Sequence, residues 1–249
     1  MIIAIVFFLI LAGIAFLIYR GSRPPTPPPT PNPTVNLAPI EIISSNLFNI
    51  QSLDYDFWAQ VRNPNVDFGS GNASYEISFF NSAGTVISKK SGSFYILPGQ
   101  TRYLVDGPIK STETISRAQI KILSVDWQKL SQLGTIGVPL LVRGASYVEV
   151  LQPGIFSKVG GNIFNSSDFD INKADVIVVL LGQSDKPVAV GRTEIRTFLA
   201  QTTRGFEISW FSPFVGKVIR IQAEAYTNIF ENLNFLRTYG GGEKFKQLY

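Results

Sequence analysis

Asp168-Phe-Asp-Ile-Asn172 sets oxygen-bearing side chains at alternate positions, and Asp175 follows three residues later. A calcium loop of the EF-hand kind begins this way. Such a loop also needs Gly at its sixth position and a bidentate Glu at its twelfth, where this chain has Lys173 and Val179. Asp168, Asp170, Asn172 and Asp175 are thus calcium candidates set against a plainer reading, polar side chains on one solvated strand face. The expectation is no metal and no cofactor.

Composition narrows the chemistry further. The chain has no Cys and no His, which removes disulfides, thiolates and the commonest general base and metal ligand. No phosphate loop, dinucleotide fingerprint or nucleophile elbow is present, and no pair among the 18 acids is marked for paired-carboxylate work. Ser88 and Lys89 are neighbours in an alternating stretch, so they point to opposite faces and make no dyad. Asn72-Ala-Ser74 and Asn165-Ser-Ser167 are glycosylation sequons. The expected protein is not an enzyme. The formal charge of +4 falls to +2 without Arg20 and Arg23, and the remaining basic residues are scattered. A nucleic-acid partner needs a concentrated basic patch, so none is expected.

Three tryptophans remain as binding candidates. Trp58 sits beside Phe57 in an alternating strand, so one of the two faces out of its sandwich, towards solvent or a neighbouring domain. An exposed Trp could stack on a sugar, whereas a core or interface role follows from its large apolar surface.

Two segments position whatever lies beyond them. Met1–Tyr19 is an uncharged run of 19 residues, roughly 28 Å as a helix and so near the thickness of a bilayer core. It has no basic start and no Ala-x-Ala cleavage pattern, so an uncleaved anchor is expected rather than a secretory signal. Residues 20–39 then form a linker with seven prolines between Pro24 and Pro33, a composition that favours extended polyproline II. Arg20 and Arg23 pull towards a cytoplasmic placement of the domains. The Pro/Thr stalk argues for the outside, and the outside of a prokaryotic envelope is the expectation.

Beyond the stalk, short strand patterns recur: Asp56–Arg62, Ala73–Phe80, Thr85–Ser88, Gly92–Leu97, Thr101–Val105 and Ala118–Asp126. Alternation, β-branched and aromatic residues, and Asn/Gly/Pro breaks indicate antiparallel sandwiches. The one short helical pattern runs from Asp126 to Leu133. The order of features repeats about a hundred residues on. Val61-Arg-Asn63 and Ala73–Phe80 are echoed by Ile163-Phe-Asn165 and Ala174–Leu181, and Thr101-Arg102 by Thr203-Arg204. The expected fold is all-β, with two tandem immunoglobulin-like antiparallel β-sandwiches, 40–135 and 145–232, behind the N-terminal transmembrane helix and stalk. A flexible tail is expected at 240–249.

Val61-Arg-Asn-Pro-Asn65, Ile77-Ser-Phe-Phe-Asn81, Gly84-Thr-Val86 and Leu97-Pro-Gly-Gln-Thr101 together resemble the FxLYD and late-embryogenesis-abundant type 2 (WHy) sandwiches. The likeness covers roughly residues 40–127 and, with Asn165-Ser-Ser in place of Asn-Pro-Asn, 145–230. It implies a fold and a membrane setting, with no catalyst.

The repeat makes one sharp demand. Tyr75, Ile77 and Phe79 should face inward, as should Val176, Val178 and Leu180. The opposite face of the second copy then presents Asp175, Ile177 and Val179. An apolar outer face is usually covered, so Ile177 and Val179 should be buried against the other domain, the tail or a partner chain. Trp58, Ile177 and Val179 are the candidate binding surface. The function expected is a surface-displayed structural or protein-interaction module, tethered to the lipid bilayer through Met1–Tyr19 and joined to a protein partner or to itself. A carbohydrate or cell-wall binder and an accessory subunit of an envelope assembly are the alternatives.

Overall fold

Along Phe68–Phe80, Ala73, Tyr75, Ile77 and Phe79 are buried while Ser74, Glu76, Ser78 and Phe80 stay partly exposed. This two-residue period marks a strand with one face on a core. The computed structural model describes residues 36–130, 138–231 and 235–238, together with three helical positions, Ala12, Gly13 and Phe16. Apart from those three positions, the expected anchor Met1–Tyr19 lies outside the described residues, as do the linker up to residue 35 and the tail 240–249. Among the described residues no helix is long and apolar enough to cross a membrane. The chain divides into two units, Met1–Leu37 and Ala38–Tyr249, and the strands belong to the second.

That unit is all-β. Its first six strands are β1 (Glu41–Gln51), β2 (Asp54–Arg62), β3 (Phe68–Phe80), β4 (Val86–Ile96), β5 (Thr101–Lys110) and β6 (Arg117–Lys129). The next six are β7 (Leu140–Gln152), β8 (Ile155–Asn165), β9 (Phe169–Leu181), β10 (Pro187–Phe198), β11 (Thr203–Trp210) and β12 (Arg220–Tyr226). A short β13 (Phe235–Thr238) comes last and adds to β9. The sheets are β1-β2-β5 with β4-β3-β6, then β7-β8-β11 with β10-β9-β12, all antiparallel. Six strands in one order are followed by six in the same order.

Each pair of sheets closes on its own apolar core. In the first, Tyr55, Phe57, Ala59 and Val61 of β2 meet Tyr75, Ile77 and Phe79 of β3. In the second, Val159 and Ile163 of β8 and Phe206, Ile208 and Trp210 of β11 meet Val176, Val178 and Leu180 of β9. At roughly 1.5–3 kcal/mol gross per fully buried large apolar side chain, either core exceeds any polar contact in the molecule several-fold. Both sets of strand residues face the way their alternation predicts.

The two sandwiches also share a buried polar feature. Asn63 and Asn165, each at the end of its strand, are fully buried. The Asn63 amide donates to the carbonyls of Phe68 (2.6 Å) and Leu97 (2.9 Å), and its Oδ1 accepts from the Asn65 N–H (3.0 Å). The Asn165 amide donates to Phe169 (2.8 Å), Leu199 (3.2 Å) and Phe198 (3.3 Å), and its Oδ1 accepts from the Ser167 N–H (3.2 Å). One amide ties two loops together in each copy because it alone supplies donors and an acceptor where buried carbonyls would otherwise go unpaired.

The β4–β5 turn of the first copy, Leu97-Pro-Gly-Gln100, carries Gly99 at φ 64°. Its counterpart in the second copy is Gln201 at φ 56°, whose side-chain amide donates to the carbonyls of Ser166 and Ser167. A Cβ on Gly99 would meet open space, so Gly99→Ala introduces left-handed backbone strain and no clash. It is expected to lower the unfolding free energy by about 1–2 kcal/mol in urea titration. A loss near zero would mean that the turn relaxes freely.

The structure departs from the sequence pattern in three places. Asp126–Lys129, patterned as a helix start, continues β6, with Val125 and Trp127 half-buried on the core side between exposed Ser124, Asp126 and Gln128. The patterns at Thr85–Ser88 and Gly92–Leu97 fuse into the single strand β4. Strand β7 starts at Leu140, inside the stretch expected to join the domains, because Leu140 and Val142 pack on the second core.

Candidate functional site: the junction between the sandwiches

On β9 the residues that point away from the core are Ile177, Val179 and Leu181, and they are buried as well. Their cover is the first sandwich. Trp58 of β2 and Tyr103 and Val105 of β5 pack on them and on Val190 of β10, with Phe48 and Tyr226 at the margin. The outer face of β1-β2-β5 therefore lies on the outer face of β10-β9-β12. Trp58 stacks on Phe48 at 6.5 Å and meets Tyr103 at 5.9 Å between ring centroids. Five buried aliphatic side chains, Val105, Ile177, Val179, Leu181 and Val190, contribute on the order of 7–15 kcal/mol gross, which exceeds the ~1 kcal/mol of a single hydrogen bond. Apolar burial is what joins the two sandwiches.

Polar contacts fix their alignment at both ends. Ser212, just after β11, hydrogen-bonds Gln51 at the end of β1 (3.2 Å). At the opposite end Asn228 donates to the Gly71 carbonyl (3.2 Å), and the Phe230 ring sits where a Cβ on Gly69 or Gly71 would be. The sandwiches lie side by side with like ends together.

Between them opens a cleft of about 270 Å³, lined among others by Tyr75, Tyr95, Arg102, Asp175, Arg192 and Asn228. Arg102 is 4 % exposed. Its guanidinium lies between two rings, 4.4 Å from the Tyr95 centroid and 4.7 Å from that of Tyr226, and its Nη1 donates to the Tyr95 carbonyl (2.7 Å). Its Nε has no hydrogen-bond partner among the described residues. The faces of the two tyrosines stabilise the buried cation through their ring quadrupoles. The hydroxyl of Tyr95, from the first sandwich, donates to Asp175 Oδ2 of the second (3.2 Å). Burial pushes the phenols of both Tyr95 and Tyr226 above their usual range, so each stays a neutral donor.

A second polar group backs the cleft. Asp106 accepts from Lys90 Nζ (2.6 Å) and from the Tyr75 hydroxyl (3.3 Å). Burial, and then Asp106, push Tyr75 up to about 12. The same two causes, burial first, raise Asp56 to about 6. A carboxyl whose folded pKa is raised favours the fold below its unfolded value near 3.8, and that contribution is lost as pH rises through about 6. Asp56→Asn is therefore expected to raise the thermal midpoint at pH 8 and leave it unchanged at pH 4. Equal midpoints at pH 8 would remove the burial penalty inferred for Asp56.

The calcium candidates are not brought together. Asp170 is buried and accepts from the Ala200 N–H (2.8 Å), while Asp168 faces the Gln201 amide (3.4 Å). Asn172 is exposed, and Asp175 faces the cleft. Among the described residues no three His, Cys, Asp or Glu side chains group as a metal ion would need. Trp58, Ile177 and Val179 do come together, against one another. Trp210 lies in the second core with its indole N–H on the Val190 carbonyl (3.0 Å), and Trp127 packs on the first. Asn165 is sealed with its amide spent on three carbonyls, so that sequon offers no glycan acceptor in the folded chain, whereas Asn72 is exposed.

Arg102 is the residue that sequence reasoning passes over. The pairing of Thr101-Arg102 with Thr203-Arg204 is its only trace, and both arginines make the same bond, Arg204 Nη1 donating to the Thr197 carbonyl (3.5 Å). Arg102 is buried and Arg204 exposed, because only the first copy has this sheet face covered. No protein-family model matches the chain, and no curated protein matches it.

Proposed function

We propose that the chain is a membrane-tethered, surface-displayed module that acts by presenting two rigidly joined immunoglobulin-like sandwiches, of the FxLYD and WHy kind, to a protein partner, without catalysis. The carrying observation is the apolar junction. Trp58, Tyr103 and Val105 against Ile177, Val179, Leu181 and Val190 hold the copies in one relative orientation, as a presenting arm requires. The repeated strand order supports a tandem duplication. The uncharged run Met1–Tyr19 and the proline stalk supply the tether, with residues 34–249 outside the cytoplasm. Trp58, the stacking platform a saccharide would use, is 6 % exposed, which weighs against carbohydrate binding at that residue.

Protease added to intact spheroplasts is expected to cut in the stalk and release a soluble fragment of nearly the full domain mass. Cross-linking of intact cells beforehand is expected to capture one recurrent partner, or a second copy, on that fragment. Protection of the chain until lysis would overturn the outward placement. A fragment that remains uncross-linked would overturn the interaction role.

A further inference from the structure

The loop between β11 and β12, residues 211–219, departs from its counterpart in the first copy. There, residues 111–116 read Ser-Thr-Glu-Thr-Ile-Ser, with Ile115 turned into the core. Here the sequence is Phe-Ser-Pro-Phe-Val-Gly-Lys-Val-Ile. Phe214 anchors it from beneath, with its ring 5.4 Å from Phe156 and 6.4 Å from Trp210. Phe211, Val215 and Ile219 point outward at 69, 96 and 64 % exposure. Gly216 at φ 111° turns the chain back. The duplication thus provides an internal comparison: one position in the fold is polar in one copy and apolar in the other.

Three features favour a lipid surface over a protein. Val215 at 96 % exposure sits on a protruding tip, and a tip enters a fluid interface more readily than it fills a flat one. Three side chains also fall well short of the ~800 Å² per partner that a stable protein interface buries. The surrounding charge is basic as well. Lys186, in the adjoining β9–β10 turn, and Lys217 are exposed with no acidic partner within 4 Å among the described residues, while Arg220 and Asp185 neutralise each other at 2.9 Å. Apolar side chains accompanied by two exposed lysines, unpaired among the described residues, match the boundary of an anionic bilayer.

We propose that the 211–219 loop is a lipid-inserting tip, with Phe211, Val215 and Ile219 entering the headgroup–acyl boundary of an anionic bilayer and Lys186 and Lys217 meeting its phosphates. The tip lies at the Gln51 end of the first sandwich, one strand length (roughly 33 Å) from Glu41, where β1 begins. It is a membrane contact separate from Met1–Tyr19 and does not depend on that segment being an anchor.

The absence of Cys allows a single-label test on the full chain. Val215→Cys, carrying an NBD fluorophore, is mixed with neutral phosphatidylcholine nanodiscs so that any anchor is already satisfied. Phosphatidylglycerol vesicles are then added. The expected result is a blue shift that doxyl lipids quench, with no change for the same label at Thr112→Cys. Adding Phe211→Ser and Ile219→Ser, both solvent-facing, should weaken vesicle affinity at least about tenfold, and Lys186→Glu with Lys217→Glu should erase the preference for anionic lipid. Unchanged emission at position 215, or an equal shift at position 112, overturns the proposal. A response to native membranes that is lost when they are stripped of protein, with none to pure lipid, assigns the tip to a protein partner and overturns it too.

Discussion

Val179→Asp is expected to split the unfolding of the double sandwich into two separate transitions and to lower the first by about 4 kcal/mol. Val179 is 1 % exposed and lies on β9 opposite Val190, facing Trp58, Tyr103 and Val105. A carboxylate there is buried without a partner, at a cost of several kcal/mol, and it opens the apolar junction. Neither core is touched, because Val178 and Leu180 point the other way into the second sandwich. Each copy therefore keeps the contacts that close it while losing the support of its neighbour. Val178→Asp, one residue away, is expected instead to unfold the second sandwich outright. Urea titration followed by Trp fluorescence and by hydrogen exchange separates these outcomes. A single transition at unchanged midpoint in Val179→Asp would show that the junction contributes little.

Asn165→Ala is expected to cost about 3–4 kcal/mol, more than most core truncations to a smaller aliphatic residue. The side chain removed gives hydrogen bonds to three carbonyls and accepts from the Ser167 N–H and, at 2.6 Å, its hydroxyl. Alanine leaves those groups buried, and each unmet group costs about 1–3 kcal/mol, with partial relief by rearrangement. Asn165→Asp is expected to be no better, since a carboxylate turns an acceptor towards three acceptors. Asn63→Ala should cost a similar amount in the first sandwich. The double variant should be additive within roughly 0.5 kcal/mol, because the two residues share no partner. A cost below about 1 kcal/mol for either single change would mean that the loops are held by something other than these amides.

Side-chain alternation is local information, and it made the strands around Phe57, Tyr75, Ile77, Val176 and Leu180 legible, together with the direction in which each faces. The same alternation left Ile177 and Val179 on an outer face too apolar to be bare, and it set Phe57 and Trp58 on opposite sides of one strand. The order of Val61-Arg-Asn63 and Ile163-Phe-Asn165 likewise anticipated the strand order that recurs in the second sandwich. Edge strands were harder to read. β1 is exposed along Glu41–Ser45, so that half has no buried face to impose a period, and β7, whose core-facing Leu140, Val142, Ala145 and Tyr147 are only half-buried, breaks its alternation at Gly144-Ala145.

Long-range pairing decided the rest. That the cover over Ile177 and Val179 is Trp58 of the same chain depends on residues more than a hundred positions apart, and no local pattern encodes that choice. Asn63 and Asn165 look like ordinary turn residues until the loops at Leu97 and Leu199 close over them and leave carbonyls in need of donors. Arg102 and Arg204 occupy matching places with matching bonds, yet one is buried between two tyrosines and the other lies in solvent. The sequence by itself determined which way each side chain leaves its strand. Only the tertiary structure decided what it meets, because burial is set by whichever surface packs opposite.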